Sequence, residues 1–153
     1  MNTLPREKQV QIVSALIEGN SVRSTARLVG VYRNTVLRLL ERVGPQCETL
    51  LNATMQNLKC ERLQLDEIWS YVGKKARRVT PDDDRLVVGD QYVFVALDPD
   101  TKLIPCFEVG KRNTETAWSF AKRLRARVKN SPQISTDAFN SYPYVLGNCF
   151  PSA

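Results

Sequence analysis

The chain has 153 residues, with 22 Lys+Arg against 16 Asp+Glu, no histidine and a formal net charge of +6. That length suits a small domain joined to a second one. The missing histidine, and four cysteines (Cys47, Cys60, Cys106, Cys149) with no C-x-x-C pair, argue against structural zinc and for reduced thiols. No run approaches membrane-spanning length and no apolar stretch follows the N-terminus as in a signal peptide, so the expected setting is soluble and cytoplasmic.

The basic excess is uneven. Residues 1–45 hold seven basic side chains (Arg6, Lys8, Arg23, Arg27, Arg33, Arg38, Arg42) and three acidic ones (Glu7, Glu18, Glu41). Residues 111–130 hold seven (Lys111, Arg112, Lys122, Arg123, Arg125, Arg127, Lys129) against Glu115 alone. Two basic zones point to a polyanion, most simply nucleic acid, the plainer alternative for each being a solvated helix face.

From Pro5 to Glu18 the spacing predicts a helix with Val10, Val13, Leu16 and Ile17 on one face, Pro5 suiting its first turn and Gly19-Asn20 its stop. Ser21 can cap a second helix whose Val22, Ala26 and Val29 point inward, ended by Gly30; a third runs from Arg33 to Val43 with Val36, Leu39 and Leu40 inward. A helix-turn-helix needs a small residue where its helices touch (Ala26), a glycine where the turn requires positive φ (Gly30), and apolar closure at Val36 and Leu39. All four are present. Tyr32, Arg33, Asn34, Leu37 and Arg38 are left outward at the start of the third helix, types that reach phosphates and base edges in the major groove of double-stranded DNA. A DNA-binding helix-turn-helix is therefore expected over residues 1–44, against a trihelical packing module as the alternative.

Gly44-Pro45 is expected to break the helical pattern. A linking helix over 45–61 follows, with Leu50, Leu51, Thr54, Met55 and Leu58 on one side. From Arg62 the period becomes extended, with strands expected over 63–73, 90–98 and 102–109 and turn chemistry at Asp98-Pro99-Asp100. Residues 74–89, from Lys74-Lys75-Ala76-Arg77-Arg78 to Asp82-Asp83-Asp84, read as an exposed loop, the three aspartates as a solvated acidic turn rather than a metal site. Asn113 or Thr114 can cap a helix over 115–129 that buries Ala117, Trp118, Ala121, Leu124 and Val128 and keeps its basic residues outside or near the C-terminus. A strand over 133–136 follows, and the closing Tyr-Pro-Tyr-Val-Leu-Gly-Asn-Cys-Phe-Pro-Ser-Ala lacks helical periodicity. The expected class is α/β: an all-α N-terminal part, then β-β-β-α-β. Trp69 and Tyr71 are read as core aromatics.

Within the first strand, Leu63–Val72, two adjacent carboxylates interrupt an otherwise apolar run. A right-handed crossover through the 115–129 helix can lay the last strand parallel to the first and set Asp137 at its carboxyl end near Asp66. Two convergent carboxylates without histidine or clustered cysteine suit Mg²⁺ or Mn²⁺. Glu67, next along the strand, points to the opposite face and reads as structural.

Several ordered motifs together resemble the transposases of the insertion-sequence-one family: Asp66-Glu67-Ile68-Trp69-Ser70-Tyr71-Val72-Gly73-Lys74-Lys75; Phe94-Val95-Ala96-Leu97-Asp98 with Asp100-Thr101-Lys102; Gly110-Lys111-Arg112-Asn113; and Ser135-Thr136-Asp137 with Tyr142. The resemblance covers essentially the whole chain. It implies an Asp-Asp-Glu enzyme whose catalytic part, residues 62–153, is an incomplete ribonuclease H-like domain, with Asp66 and Asp137 as catalytic acids and metal ligands. It further implies a cytoplasmic, nucleoid-associated protein acting on double-stranded DNA at element terminal repeats, as a homo-oligomer in the intact family. The family's third acid, a downstream glutamate, has no counterpart, since no Asp or Glu follows Asp137, and Ala138 stands where relatives have glycine. A shortened reading frame with little or no cutting activity of its own is the expectation. The alternative is a non-catalytic helix-turn-helix regulator of transposition.

Overall fold

Ile12, Ala26, Val36 and Leu39, one or two from each of three helices, close a small core. The computed structural model describes residues 4–151, and the chain divides into two units, Met1–Ala53 and Thr54–Ala153. In the first, α1 (Arg6–Ile17) buries Ile12 with Val13 and Leu16 beside it. Val10 and Ile17, expected on that face, are 56% and 77% exposed. At about 100° per residue each lies roughly 150° round the helix from Ile12, nearly opposite it.

Helix α2 (Val22–Val29) is capped by Ser21, whose Oγ accepts the Ser24 N–H at 3.1 Å. It ends at Gly30, φ 66°, with the Val31 N–H donating to the Ala26 carbonyl at 3.0 Å. A left-handed residue there is what a side chain would resist and glycine permits.

Helix α3 (Arg33–Thr54) buries Val36 and Leu39, while Leu40, expected inward, is 39% exposed. It continues through Gly44-Pro45, so the expected break there does not occur. A proline inside a helix costs about 3 kcal/mol through its missing donor and its clash with the preceding turn. Part of the clash with the preceding residue falls on that residue's Cβ, which Gly44 lacks. The Thr49 hydroxyl donates to the Pro45 carbonyl at 2.9 Å.

The second unit is a four-stranded sheet in the order β3-β2-β1-β4, formed by β1 (Arg62–Val72), β2 (Gly89–Leu97), β3 (Cys106–Gly110) and β4 (Gln133–Thr136). The first three strands are antiparallel neighbours; β4 lies parallel to β1, in the register Leu63↔Ile134 and Leu65↔Thr136. A parallel neighbour needs a crossover, supplied by α4 (Thr114–Arg127), whose N-cap Asn113 accepts the Thr116 N–H at 2.9 Å. Strand β3 starts later than expected because residues before it are spent on a turn. Asp98 accepts the Asp100 N–H and the Thr101 hydroxyl, Lys102 takes φ 63°, and Pro105 has no N–H to give a ladder.

Helix α4 packs on one face of the sheet, burying Ala117, Phe120, Ala121 and Leu124 against Leu63, Leu65, Phe94 and Ala96. Its approach is close enough that a Cβ on Gly110 would stand 2.7 Å from the Thr116 hydroxyl. Trp118, expected in this core, is only partly buried, edge-on to Tyr144 at 5.8 Å. Arg127 sits at the C-terminus of α4, one of the two places expected for the basic residues, but is buried there, donating to the Pro105 carbonyl.

The chain then forms α5 (Tyr142–Cys149), where no helix was expected. Tyr142, Val145 and Cys149 do follow helical spacing; Pro143 and Gly147 obscure it, yet proline is tolerated in a first turn.

Trp69 and Tyr71 are not core residues, being 45% and 47% exposed. Alternation puts both on the same sheet face as Leu65 and Glu67. That face is covered along the cross-strand rows Leu65–Ala96–Cys106 and Glu67–Phe94, and in the next row, Trp69–Tyr92–Gly110, it is covered at Gly110, partly so at Tyr92 and open at Trp69.

Candidate functional site

In the first unit, turning α3 so that Val36 and Leu39 face inward leaves Tyr32, Arg33, Asn34, Leu37 and Arg38 exposed. Tyr32 is 87% exposed, and Tyr32, Arg33, Asn34, Thr35 and Arg38 line a shallow concavity of about 410 Å³. Arg33 and Arg38 have no carboxylate partner among the described residues. In contrast, Arg42, one turn on, donates to the Gln9 side chain at 2.8 Å. The arrangement is a helix terminus with two uncompensated guanidiniums, a phenol, an amide and a methyl-bearing side chain on one surface.

The second basic zone is different, because most of it is spent inside its own unit. Lys111 donates to the Val88 and Asp90 carbonyls at 2.9 and 3.0 Å, Arg123 pairs with Glu108 at 2.8 Å, and Arg125 donates to the Val128 and Asn130 carbonyls, each at 2.9 Å. Arg112 Nε meets Glu67 Oε2 at 3.0 Å while its Nη2 meets Asp137 Oδ2 at 3.2 Å. The expectation of a free polyanion-binding surface over 111–130 therefore gives way to a set of internal fasteners.

One of these contacts, from Arg112, reaches the second predicted acid, Asp137. The parallel register ends at Leu65↔Thr136, so Asp66 and Asp137 are the next residues along two adjacent strands. Neighbouring strands run about 4.8 Å apart, which makes the two backbones adjacent at this point. Both residues are exposed. Asp66 Oδ1 accepts the Glu67 N–H at 2.8 Å, and Asp137 Oδ1 accepts the Phe139 N–H at 3.1 Å.

Glu67 points the other way, its side chain 1% exposed. It accepts from Arg112 and from the Tyr142 hydroxyl. Burial first, and then the hydrogen bond to Glu67, push the Tyr142 phenol far above its usual range. Burial works against the Arg112 charge, but the bond and charge of Glu67 and the charge of Asp137 outweigh it, and the guanidinium is held above its ordinary value. The Arg112 guanidinium also lies 4.4 Å over the Phe139 ring.

Asp66 and Asp137 offer hard oxygens of the kind Mg²⁺ and Mn²⁺ take. A cation at Asp137 competes with Arg112, and among the described residues no group of three or more His, Cys, Asp or Glu converges on one point. The donor set is right in kind and short in number.

The Asp82-Asp83-Asp84 run, expected to be a solvated turn, is not a cation cradle. Asp83 Oδ2 accepts from Lys74 Nζ at 2.8 Å and from the Thr80 N–H at 2.7 Å, while Asp84 Oδ1 accepts the Leu86 N–H. The Lys74 bond, then those from Thr80, bring Asp83 down to about 2 from the usual 3.8. A carboxylate depressed in the folded state adds stability that is complete above its ordinary value and is lost as the pH falls through the folded one. Loop 74–88 should therefore keep its amide protection at pH 5 and lose it between about pH 4 and 2, as hydrogen exchange at those two ends would read. In Asp83→Asn the loop should already be loose at pH 5.

No known protein-family model matches this sequence, and no curated protein matches it. In outline it is similar to mariner transposase complexes. The Mos1 strand transfer complex shares 16% identity at a TM-score of 0.36, over 94% of this chain and 55% of that one. A pre-cleavage Mos1 transpososome shares 15% at 0.35, over 100% and 62%. The Mos1 mariner paired-end complex with Mn shares 15% at 0.25, over 78% and 47%. This chain thus spans less than two thirds of each of these solved chains. Among its described residues no helix is long and apolar enough to cross a membrane.

Sequence reasoning picked out the two aspartates and missed that Arg112 ties Asp137 to Glu67 and that Tyr142 holds Glu67. The signal was faint: an arginine just before a helix N-cap, and a glutamate one residue out of phase with Asp66 that had to find a partner on the covered face.

Proposed function

We propose that this chain is a DNA transposase polypeptide of the Asp-Asp-Glu class, of the insertion-sequence-one kind. In this reading residues 1–44 form a helix-turn-helix that docks the start of α3 in the major groove of element-end DNA. Residues 45–61 link it to a partial ribonuclease H-like domain over 62–153. The observation that carries the reading is the parallel pairing of β1 with β4, through α4, which leaves Asp66, inside β1, beside Asp137, the residue just past the end of β4.

Asp66 and Asp137 are the residues that would hold Mg²⁺ or Mn²⁺. A divalent ion there supplies charge stabilisation to the oxygens of an in-line phosphodiester displacement. The chain's own contribution is positional. The Tyr142 hydroxyl fixes Glu67, Glu67 fixes Arg112, and Arg112 fixes Oδ2 of Asp137.

A second reading, a non-catalytic regulator that occupies the terminal repeats, is favoured by one observation. The α3 surface is whole, whereas the acid pair lacks a third converging donor among the described residues. The two readings separate in a nicking and strand-transfer assay on element-end duplex with Mg²⁺ or Mn²⁺. With two donors and a guanidinium on one of them, the chain alone should give little or no product. Turnover that vanishes in Asp66→Asn would overturn that expectation and make this chain an active enzyme.

A further inference from the structure

Beyond the end of the helix-covered sheet, the face that carries Glu67 continues as Trp69 and Tyr71, with Tyr92 opposite Trp69 on β2. The Trp69 and Tyr71 rings sit 5.8 Å apart, tilted by 38°. Half-exposed aromatics in a strand are unusual when nothing packs on them; Asp90, opposite Tyr71, accepts a hydrogen bond from the Trp69 side chain, and the other charged neighbours are cations. Lys75 Nζ lies 5.2 Å over the Trp69 ring. Arg77 and Arg78, in a single 3₁₀ turn (Ala76–Arg78), and Arg85 are exposed and have no carboxylate partner among the described residues. Between this loop and the sheet lies a concavity of about 460 Å³ that reaches from Arg85 and Tyr92 to Arg112, the residue that holds Asp137.

We propose that this aromatic and basic track is a second nucleic-acid site that takes unpaired nucleotides, bases on Trp69 and Tyr71 and phosphates on Lys75, Arg77, Arg78 and Arg85. Two features select a single strand over a duplex. Ring faces can stack only on bases that are not already stacked in a helix, and such stacking is sequence-tolerant because every base has a π face. Lys75 lies over a ring, Arg77 and Arg78 follow it in one short turn, and Arg85 lines the concavity beside Tyr92, rather than along a helix suited to a groove. The inference rests on the transposase reading for its biological sense, since a strand end must be unpaired near the acids to be cut or joined. Its geometry stands apart from that reading and from α3.

The test measures binding of the full chain to two probes, a fluorescein-labelled 20-nucleotide oligo-dT and a blunt duplex, by anisotropy. Trp69→Leu with Tyr71→Leu should weaken oligo-dT binding tenfold or more and change duplex binding less than twofold. Arg33→Ala with Arg38→Ala should do the reverse. Because both rings are half exposed, the double substitution leaves the core intact, and an unchanged circular-dichroism melt verifies this. Trp69 and Trp118 are the only two tryptophans, so in Trp118→Phe the remaining indole reports directly, and its fluorescence should be quenched by oligo-dT. An unchanged oligo-dT affinity in the aromatic variant, an equal loss for both probes, or no quenching overturns the site. Loss of duplex binding in Arg33→Ala with Arg38→Ala would still stand for α3 in each of those cases.

Discussion

Replacing Arg33 and Arg38 together by alanine should cost this chain most of its affinity for duplex DNA. Each is an exposed guanidinium with no internal carboxylate, so removing it disturbs no contact of the first unit's core. Each contact to a phosphate or base edge is worth about 1–3 kcal/mol, so the pair amounts to roughly 2–6 kcal/mol and a loss of about 30-fold or more. The slope of log affinity against log salt should also become shallower by about two, one for each counterion no longer released. Arg42→Ala is the matched control: that side chain is spent on Gln9, and its removal should change affinity less than twofold. A gel-shift titration at several salt concentrations reads all three variants. Equal affinities and equal slopes would remove α3 from the DNA-binding role.

Why that surface was legible from sequence while the acid cluster was only half so comes down to the range of the interactions. Ser21, Ala26, Gly30, Val36 and Leu39 act within a few residues of one another, through a cap, a left-handed turn and a helix face, so their spacing constrains their geometry. The β1–β4 pairing was within reach because handedness leaves few ways to cross over. Other features depend on what comes to lie across the sheet. Trp69 and Tyr71 have the alternation of core residues, and only the reach of α4 decides that they are not. Lys111, Arg112 and Arg123 look like part of a polyanion surface until they find partners on β2, β1 and β3, at sequence distances no local pattern encodes. Gly44-Pro45 misled for the opposite reason: glycine removes the Cβ that proline would strike, one of the clashes that ordinarily end a helix before proline, and the helix runs on.

The same reasoning makes Arg112 a half-exposed residue whose loss should nonetheless disturb the second unit strongly. Arg112→Ala removes one charge and strands another, leaving Glu67, whose side chain is 1% exposed, with only the Tyr142 hydroxyl. Breaking a buried pair by removing one partner costs about 3–5 kcal/mol. Arg112 itself is 36% exposed, so solvent screens part of that and about 2–3 kcal/mol is the expected loss. For a unit of this size that corresponds to a drop of about 10–20 °C in Tm. The cause is testable by a second change, since Arg112→Ala combined with Glu67→Gln removes the stranded charge and should recover more than half of the loss. Arg112→Lys keeps the charge but cannot span two carboxylates with one planar fork, and should fall between the wild type and Arg112→Ala. If Arg112→Ala melts within 2 °C of the wild type, or the glutamine change brings no recovery, then the guanidinium is not what holds Glu67 and Asp137 in register.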